Sequence, residues 1–447
     1  MLRILINSYA CCPGMGSEQG MGWNWILAIA KHCECHIITE GEYRLQIEAW
    51  MNNAANSELA SRMRFYYNEV SPEVRRRCWN QGDWRFYLSY RHWQRKTAHM
   101  AKEIIRRQHV KGEDIDVIHQ LNMIGFREPG YLASVSKHAG IPLVWGPIGG
   151  MKQFPMAYAN GWKVRLFHSV KNSVNVMQMA LYPRVRKTMT QSSVLISSIS
   201  DSYKAIKKYY GRESVLIPET GFYTDDMDDK VITRSRFTGE TLNVIWVGKF
   251  SYRKRLDIAL NAIIETNNPN IKMKIYGTGN DRQVADTRKF LKNNGLEDRV
   301  EMMGQVSAHD VHKAMLESDV FMFTSVDEDT STVVLEAICA GLPVVCFDTC
   351  GMASVVCDNV GRKIPLTNPR QSVRHFAAEL NRLYKNRSEL DKYSHNCRAK
   401  AIELSWEMKS EKIFSLYEET VRKCKPEELR EVPIFRGGVN VLNHMMT

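Results

Sequence analysis

No apolar run in this 447-residue sequence approaches the ~18 residues that a membrane-spanning helix needs, which excludes a chain that crosses a bilayer as a helix. The start, MLRILINSYACCPG, has one basic residue followed by only three consecutive aliphatics, so the long apolar centre of a secretory leader is missing and the segment reads as a first strand. Paired CxxC spacing is also absent. The eleven cysteines are scattered, and Cys33/Cys35, Cys346/Cys350 and the adjacent Cys11/Cys12 give no framework, so reduced, mostly buried thiols in a cytosol are expected. Low-complexity segments and short repeats are missing too. What remains is 44% hydrophobic and 25% charged, the composition of a soluble globular protein, with room for two or three domains of ~150 residues.

The net charge of +12 is unevenly placed. Residues 62–111 hold thirteen Lys/Arg against four Asp/Glu, and residues 151–190 hold seven Lys/Arg and no acid. Aromatics interleave with this charge: Trp79, Trp84, Phe86, Tyr87, Tyr90 and Trp93, then Trp162 and Phe167. Cations with interfacial aromatics suit an anionic membrane surface. The same residues also suit a solvated basic face over an aromatic core, and both readings stay open. Single-stranded nucleic acid would match the composition as well, but no nucleic-acid partner is expected.

Short β-rich runs followed by amphipathic segments recur, as in doubly wound parallel sheets. The first half offers RILINSY, CHIITE, RFYY, DVIHQ, IPLVWG and SVLISSI; the second offers LNVIWVG, KMKIYG, VEMMG, VFMFTS and PVVCFD. Between them LDIALNAIIE and HDVHKAMLESD place apolar residues at i, i+3 and i+4. One α/β domain thus precedes another, with the polar, acidic loop IPETGFYTDDMDDK at 217–230 as the boundary. Ligands of such sheets bind beyond the carboxyl ends of the strands. The candidate chemistry is therefore sought there.

In EDTSTVVLEAICAGLPVVCFD, Glu328 and Glu336 frame a loop and a helix start, where free N–H groups and a positive dipole at Asp329 to Thr332 can cradle an anion or hydroxyls. Two exposed acids at a helix start can also be mere caps. In VIWVGKFSYRKRLDIAL the strand ends at Gly248 and delivers Lys249 and Lys254, cations suited to a departing diphosphate or simply to a surface loop. In CPGMGSEQGMGWNWILAIAK, Gly14, Gly16, Gly20 and Gly22 fall in nine residues without GxGxxG spacing, which removes the dinucleotide fingerprint but lets a ligand, or a tight turn, come close.

The first of these blocks resembles the ExxxxxxxE element of glycosyltransferase family 4, retaining enzymes of GT-B fold, including the following GLPVV. The lysine block resembles that family's GRxxxxKG, with Lys249 for the usual Arg and Arg255 for the usual Gly, so Lys254 is expected to matter more. The glycine-rich loop resembles a subgroup reading GSExGxGWNW. The resemblance runs along nearly the whole chain, strongest at 244–348, and departs at 50–112 and 151–190. It implies that Glu328 contacts the transferred sugar and Glu336 the ribose, with Ser331, Thr332, Val333, Gly248, Gly16 and Ser17 also at the donor. Asp329 and Thr330 stand where the family has Gly and an aromatic, which bears on donor identity. His119, in DVIHQLN, falls where the family carries a His facing the donor sugar, although a lone His is often structural. Gly149 and Gly150 of GPIGGMKQFP are assigned to the acceptor side.

The expected architecture is α/β GT-B: residues 1–220 for the acceptor, 221–405 for the nucleotide sugar, a helix at about 406–423 crossing back to the first domain, and a tail at 424–447. The resemblance implies a retaining, metal-independent hexosyltransferase with no cofactor, using His119, Lys249, Lys254 and Glu328 for catalysis. It would move a sugar from a nucleoside diphosphate sugar to a saccharide or lipid-linked saccharide in surface polysaccharide biosynthesis, in the cytoplasm or peripherally at the inner membrane face. A GT-B epimerase or phosphorylase, or a non-catalytic sugar-nucleotide-binding protein, is the alternative.

Overall fold

The computed structural model describes residues 1–79, 85–224 and 237–424, and among these thirteen strands form two parallel sheets. The first contains β1 (Arg3–Ser8), β2 (Glu34–Thr39), β3 (Met63–Tyr67), β4 (Val117–Asn122), β5 (Leu143–Ile148), β6 (Val194–Ser197) and β7 (Val215–Leu216). The second contains β8 (Leu242–Val247), β9 (Ile271–Tyr276), β10 (Val300–Gly304), β11 (Val320–Phe323), β12 (Val344–Phe347) and β13 (Gly361–Ile364). All eleven strands expected from sequence are present. Two were missed: β7 has only two residues, and β13 reads GRKI, whose cations conceal a strand flanking β12. Strands β4, β5, β11 and β12 are buried at every position, because helices cover both faces of a parallel sheet.

The strand orders are β3-β2-β1-β4-β5-β6-β7 and β10-β9-β8-β11-β12-β13. In each the chain leaves the first strand in one direction and returns to its other side, so the switch points lie between β1 and β4 and between β8 and β11. The loops leaving those strands diverge and open a crevice. The glycine-rich loop after β1, the lysine loop after β8 and the Glu328 loop after β11 all stand at these switch points.

The helix Ser17–Ala30 sits close on the first sheet: a Cβ at Gly22 would lie 2.2 Å from the Ala10 carbonyl oxygen and 2.6 Å from Asn122 Nδ2. The last described helix, Trp406–Cys424, returns to this domain. Its Ser410 Oγ donates to the Ala28 carbonyl (2.6 Å), and Trp406, Ile413, Tyr417 and Val421 share a core with Ile4, Ile6 and Trp25. Two Rossmann-like domains joined by such a helix are the GT-B architecture. A first-domain loop also reaches the other way. Phe154 and Tyr158 enter the core around Trp246 and Phe347, the Tyr158 hydroxyl meets Ser372 Oγ at 2.6 Å, and Arg255 donates to the Tyr158 carbonyl at 3.1 Å.

The two basic aromatic segments part company. The helix Arg85–Val110 buries Phe86, Tyr90 and Trp93, the last two edge-on to Tyr9 at 5.2 and 4.8 Å, so this segment is a basic face over an aromatic core. The helix Trp162–Leu181 instead leaves Trp162 and Phe167 in solvent. Trp84, the acidic stretch 225–230 of the boundary loop and residues 425–447 of the tail lie outside the described residues.

Candidate active site

After β8 the chain makes a single 3-10 turn, Tyr252–Lys254, and enters the next helix through Arg255 at φ +51°. This left-handed position explains why a glycine suits it, since a side chain there costs about 1–2 kcal/mol. Arg255 offsets the cost by donating to both Asp257 carboxylate oxygens (2.8 and 2.6 Å). The turn folds Lys254 inward. The side chain passes the ring face of Phe323 at 4.6 Å and places Nζ 2.6 Å from Glu328 Oε2, joining the loops after β8 and β11. Burial draws the Lys254 ammonium below the ordinary lysine range, against the pull of Glu328. Arg253 stands 3.3 Å from the other Glu328 oxygen. Gly248 lies beside this lysine, where a Cβ would meet the Trp246 ring at 3.2 Å and only touch Lys254 Cδ, at 3.6 Å. Lys249 is exposed at the rim of a hollow of about 790 Å³, lined by Gly248, Phe250, Thr278 and Gln305.

Beyond Glu328 the chain turns into the helix Thr332–Cys339, with Ser331 at its N-cap, Thr332 exposed and Val333 half-buried. The Thr330 N–H donates to Glu219 Oε1 at 2.6 Å. Glu336 opens to the cleft, and the protein crowding it still raises its carboxyl pKa. A second hollow of about 270 Å³ has Gly16 and Ser17 on one wall and Thr332 and Glu336 on the other, so both domains contribute to it. Gly149 lies against Asp329, whose Oδ2 would be 3.0 Å from a Cβ added there. Gly150, at φ +74°, approaches Arg127.

His119 does not face this cleft. It is the third residue of six in β4, wholly buried, with Nε2 2.7 Å from the Gly146 carbonyl and Nδ1 2.5 Å from the Tyr417 hydroxyl. A carbonyl can only accept, so Nε2 carries the proton and Nδ1 accepts from Tyr417. Burial lowers the imidazole pKa to about 4 and keeps it neutral. The expectation that it contacts donor sugar is corrected: strand alternation turns it toward the returning helix Trp406–Cys424.

Three residues of the cleft, Lys152, Glu18 and Glu219, were not singled out as site residues from sequence. Lys152, two residues beyond Gly150, lies 3.3 Å from Asp327 and 3.1 Å from Asp329, bridging the domains. Burial alone would depress Lys152, but Asp329 and Asp327 raise it above the usual lysine value. Glu18 accepts the Ile124 N–H at 2.8 Å, and burial with Asp329 nearby raises its pKa to about 7. Glu219, buried beside Asp329, is likewise raised to about 7. Glu18 is the third letter of GSE and Glu219 the acid of IPETG. Only their convergence on Asp329 marks them, and that is a tertiary fact.

The family model described as Glycosyl transferases group 1 matches residues 228–403. WcaL of Escherichia coli K12, named as a glycosyltransferase of colanic acid biosynthesis, is 23% identical over 245 residues, 52% of this chain and 59% of its own. The gpi3 subunit of phosphatidylinositol N-acetylglucosaminyltransferase of Schizosaccharomyces pombe is 26% identical over 130 residues, 29% of this chain and 28% of its own. The chain thus spans between about a quarter and three-fifths of the length of these relatives. Among solved structures, Anabaena HepE in complex with UDP shares the fold with a TM-score of 0.58 at 15% identity, over 94% of this chain and all of that one. The stretch that matches the Glycosyl transferases group 1 model contains both Lys254 and Glu328, the wall of the cleft in this GT-B fold.

Proposed function

We propose that this protein is a retaining glycosyltransferase that moves a hexose-type sugar from a nucleoside diphosphate sugar to a saccharide or lipid-linked saccharide in surface polysaccharide biosynthesis. The observation that carries the reading is the Lys254–Glu328 contact at the β8/β11 switch point, followed along the chain by Thr332 and Glu336, which face Gly16 and Ser17 of the other domain across the cleft. In this reading residues 1–220 take the acceptor and 221–405 the donor. The hollow beside Lys249 holds the nucleoside, Glu336 its ribose, and Lys249, Arg253 and Lys254 the diphosphate.

The bond from the anomeric carbon to the diphosphate oxygen breaks, and the acceptor hydroxyl attacks from the same face. Its proton passes to the departing phosphate oxygen, the nearest base on that face. Lys254 is already desolvated, so it meets the developing charge without reorganising water. Glu328, fixed by Lys254 and Arg253, accepts from sugar hydroxyls. The negative charge is met by these side chains without a resident metal.

Thermal shift with UDP-, GDP- and ADP-sugars tests this directly. One nucleotide series is expected to stabilise the wild type, and Lys254→Ala to weaken that binding about ten-fold or more, as for loss of a charge-assisted contact. Glu328→Gln should keep donor binding and lower transfer about 100-fold. No stabilisation by any series would overturn the reading. Donor isomerised without acceptor would reassign the protein to the epimerases.

A further inference from the structure

The helix Trp162–Leu181 is amphipathic the wrong way round. A surface helix ordinarily turns its apolar stripe to the core and its polar face to water. Here the inward face sets only Val164, Val176 and Met179 against the cores and is otherwise hydrogen-bonded: Asn172 exchanges two bonds with the backbone of Phe154 (2.9 Å each), Asn175 donates to the Lys152 carbonyl (2.6 Å), and Gln178 accepts from Arg127 (2.9 Å). Only Asn175 and Met179 of its twenty residues are buried. The outward face carries Trp162, Leu166, Val170, Val174, Met177 and Leu181, between 40% and 71% exposed. At about 100° per residue these six fall within one third of the helix circumference, opposite Asn172 and Asn175. Phe167, 64% exposed, borders the stripe, and a groove of about 640 Å³ runs beside it between Phe167, Lys171, Arg127 and Tyr87.

We propose that this helix docks in the plane of an anionic lipid bilayer, with the stripe in the acyl boundary and Lys163, Arg165 and Lys171 at the head groups. The charge selects this occupant. The stretch 151–190 has seven Lys/Arg and no Asp/Glu, so a second copy packed on it by twofold symmetry would set like charges against each other. Trp162 and the bordering Phe167 are the rings this face offers a nucleic-acid base to stack on, whereas the other five residues of the stripe, Leu166, Val170, Val174, Met177 and Leu181, offer none. A lipid surface supplies both the apolar medium and the negative charge. The inward polar face stays bound to the protein, so the helix lies on the membrane and does not enter it. The Asn175 bond to Lys152 puts the stripe one residue from the loop that touches Asp329, and the docked cleft opens beside the lipid surface.

The test is sedimentation of the full chain with phosphatidylcholine vesicles and with equimolar phosphatidylcholine–phosphatidylglycerol vesicles. The wild type is expected to pellet with the mixed vesicles, and high salt to weaken this. Leu166→Gln with Phe167→Gln, both surface changes, should lower the partition at least about ten-fold, given ~1.5–3 kcal/mol for each large apolar side chain removed from water. Lys163→Gln with Lys171→Gln should abolish the preference for phosphatidylglycerol. Stabilisation by nucleotide must be unchanged in both variants, which separates this proposal from the reading of the cleft. Absence of vesicle binding, equal binding of both vesicles, or an unaffected Leu166/Phe167 variant overturns it. So does a wild-type dimer that the apolar variant dissociates without any vesicle binding.

Discussion

At Glu18, burial and the Asp329 carboxylate raise the side-chain pKa to about 7, while the Ile124 N–H bond to Oε1 pulls the other way. A carboxyl raised in the folded state contributes stability that is complete below its unfolded value near 4.5 and is lost as the pH climbs through 7. Glu18→Gln retains the Oε1 acceptor and cannot ionise. It should therefore match wild type in denaturant titrations near pH 4 and exceed it by about 1–2 kcal/mol at pH 8, a figure discounted for the partial solvent access of this cleft residue. A constant difference across that range would show that Glu18 does not titrate there. His119 gives the contrasting case, a histidine held neutral by burial whose two ring nitrogens tie three elements together.

Among the elements, the helix Ser17–Ala30 sets the position of the glycine-rich loop, and Gly22 sets how closely that helix approaches the sheet. Alanine would raise helix propensity by about 1 kcal/mol, yet its Cβ would meet Ala10 oxygen at 2.2 Å, Asn122 Nδ2 at 2.6 Å and Ser8 Oγ at 2.9 Å. The backbone oxygen of Ala10, buried in the loop that leaves β1, cannot move aside as a flexible side chain would. Overpacking costs about 1–3 kcal/mol or more, so steric repulsion outweighs propensity. Gly22→Ala is expected to lower stability by about 2 kcal/mol in urea titrations and to displace Gly16 and Ser17 from the Glu336 wall, weakening nucleotide binding as well. Unchanged stability would mean that the helix has room to shift.

For the whole molecule, the spacing of the two domains depends on a few contacts across the cleft. Lys152 neutralises Asp327 and Asp329 at 3.3 and 3.1 Å, beside the further carboxyls of Glu18 and Glu219. Removing the cation leaves these acids facing one another in a partly buried gap, a loss of about 3 kcal/mol from the closed arrangement if the pair behaves as a buried one. Lys152→Met should therefore open the cleft, with a larger radius of gyration in solution scattering. Donor hydrolysis should rise relative to transfer, because closure is what keeps water from the sugar. An unchanged scattering curve would assign closure to the Tyr158 clamp instead.

The sequence by itself determined the strands and the motifs at their ends. Parallel strands buried on both faces, such as VVCF of β12, leave an unbroken apolar mark within a few residues, and Gly248, Lys254, Glu328 and Glu336 stand at fixed offsets from such marks. A two-residue β7 and a cationic β13 leave no comparable mark. Only the tertiary structure decided which side chains meet. His119 and Tyr417, 298 positions apart, bond to each other because the terminal helix returns to the first domain, and the pairing of Lys152 with Asp329 depends on how the two domains face. The Trp162–Leu181 helix makes the same point: its periodicity defines two faces, but only the hydrogen bonds of Asn172 and Asn175 fix which of them turns outward. Periodicity is a property of neighbours along the chain, whereas orientation follows from whatever surface folding brings alongside.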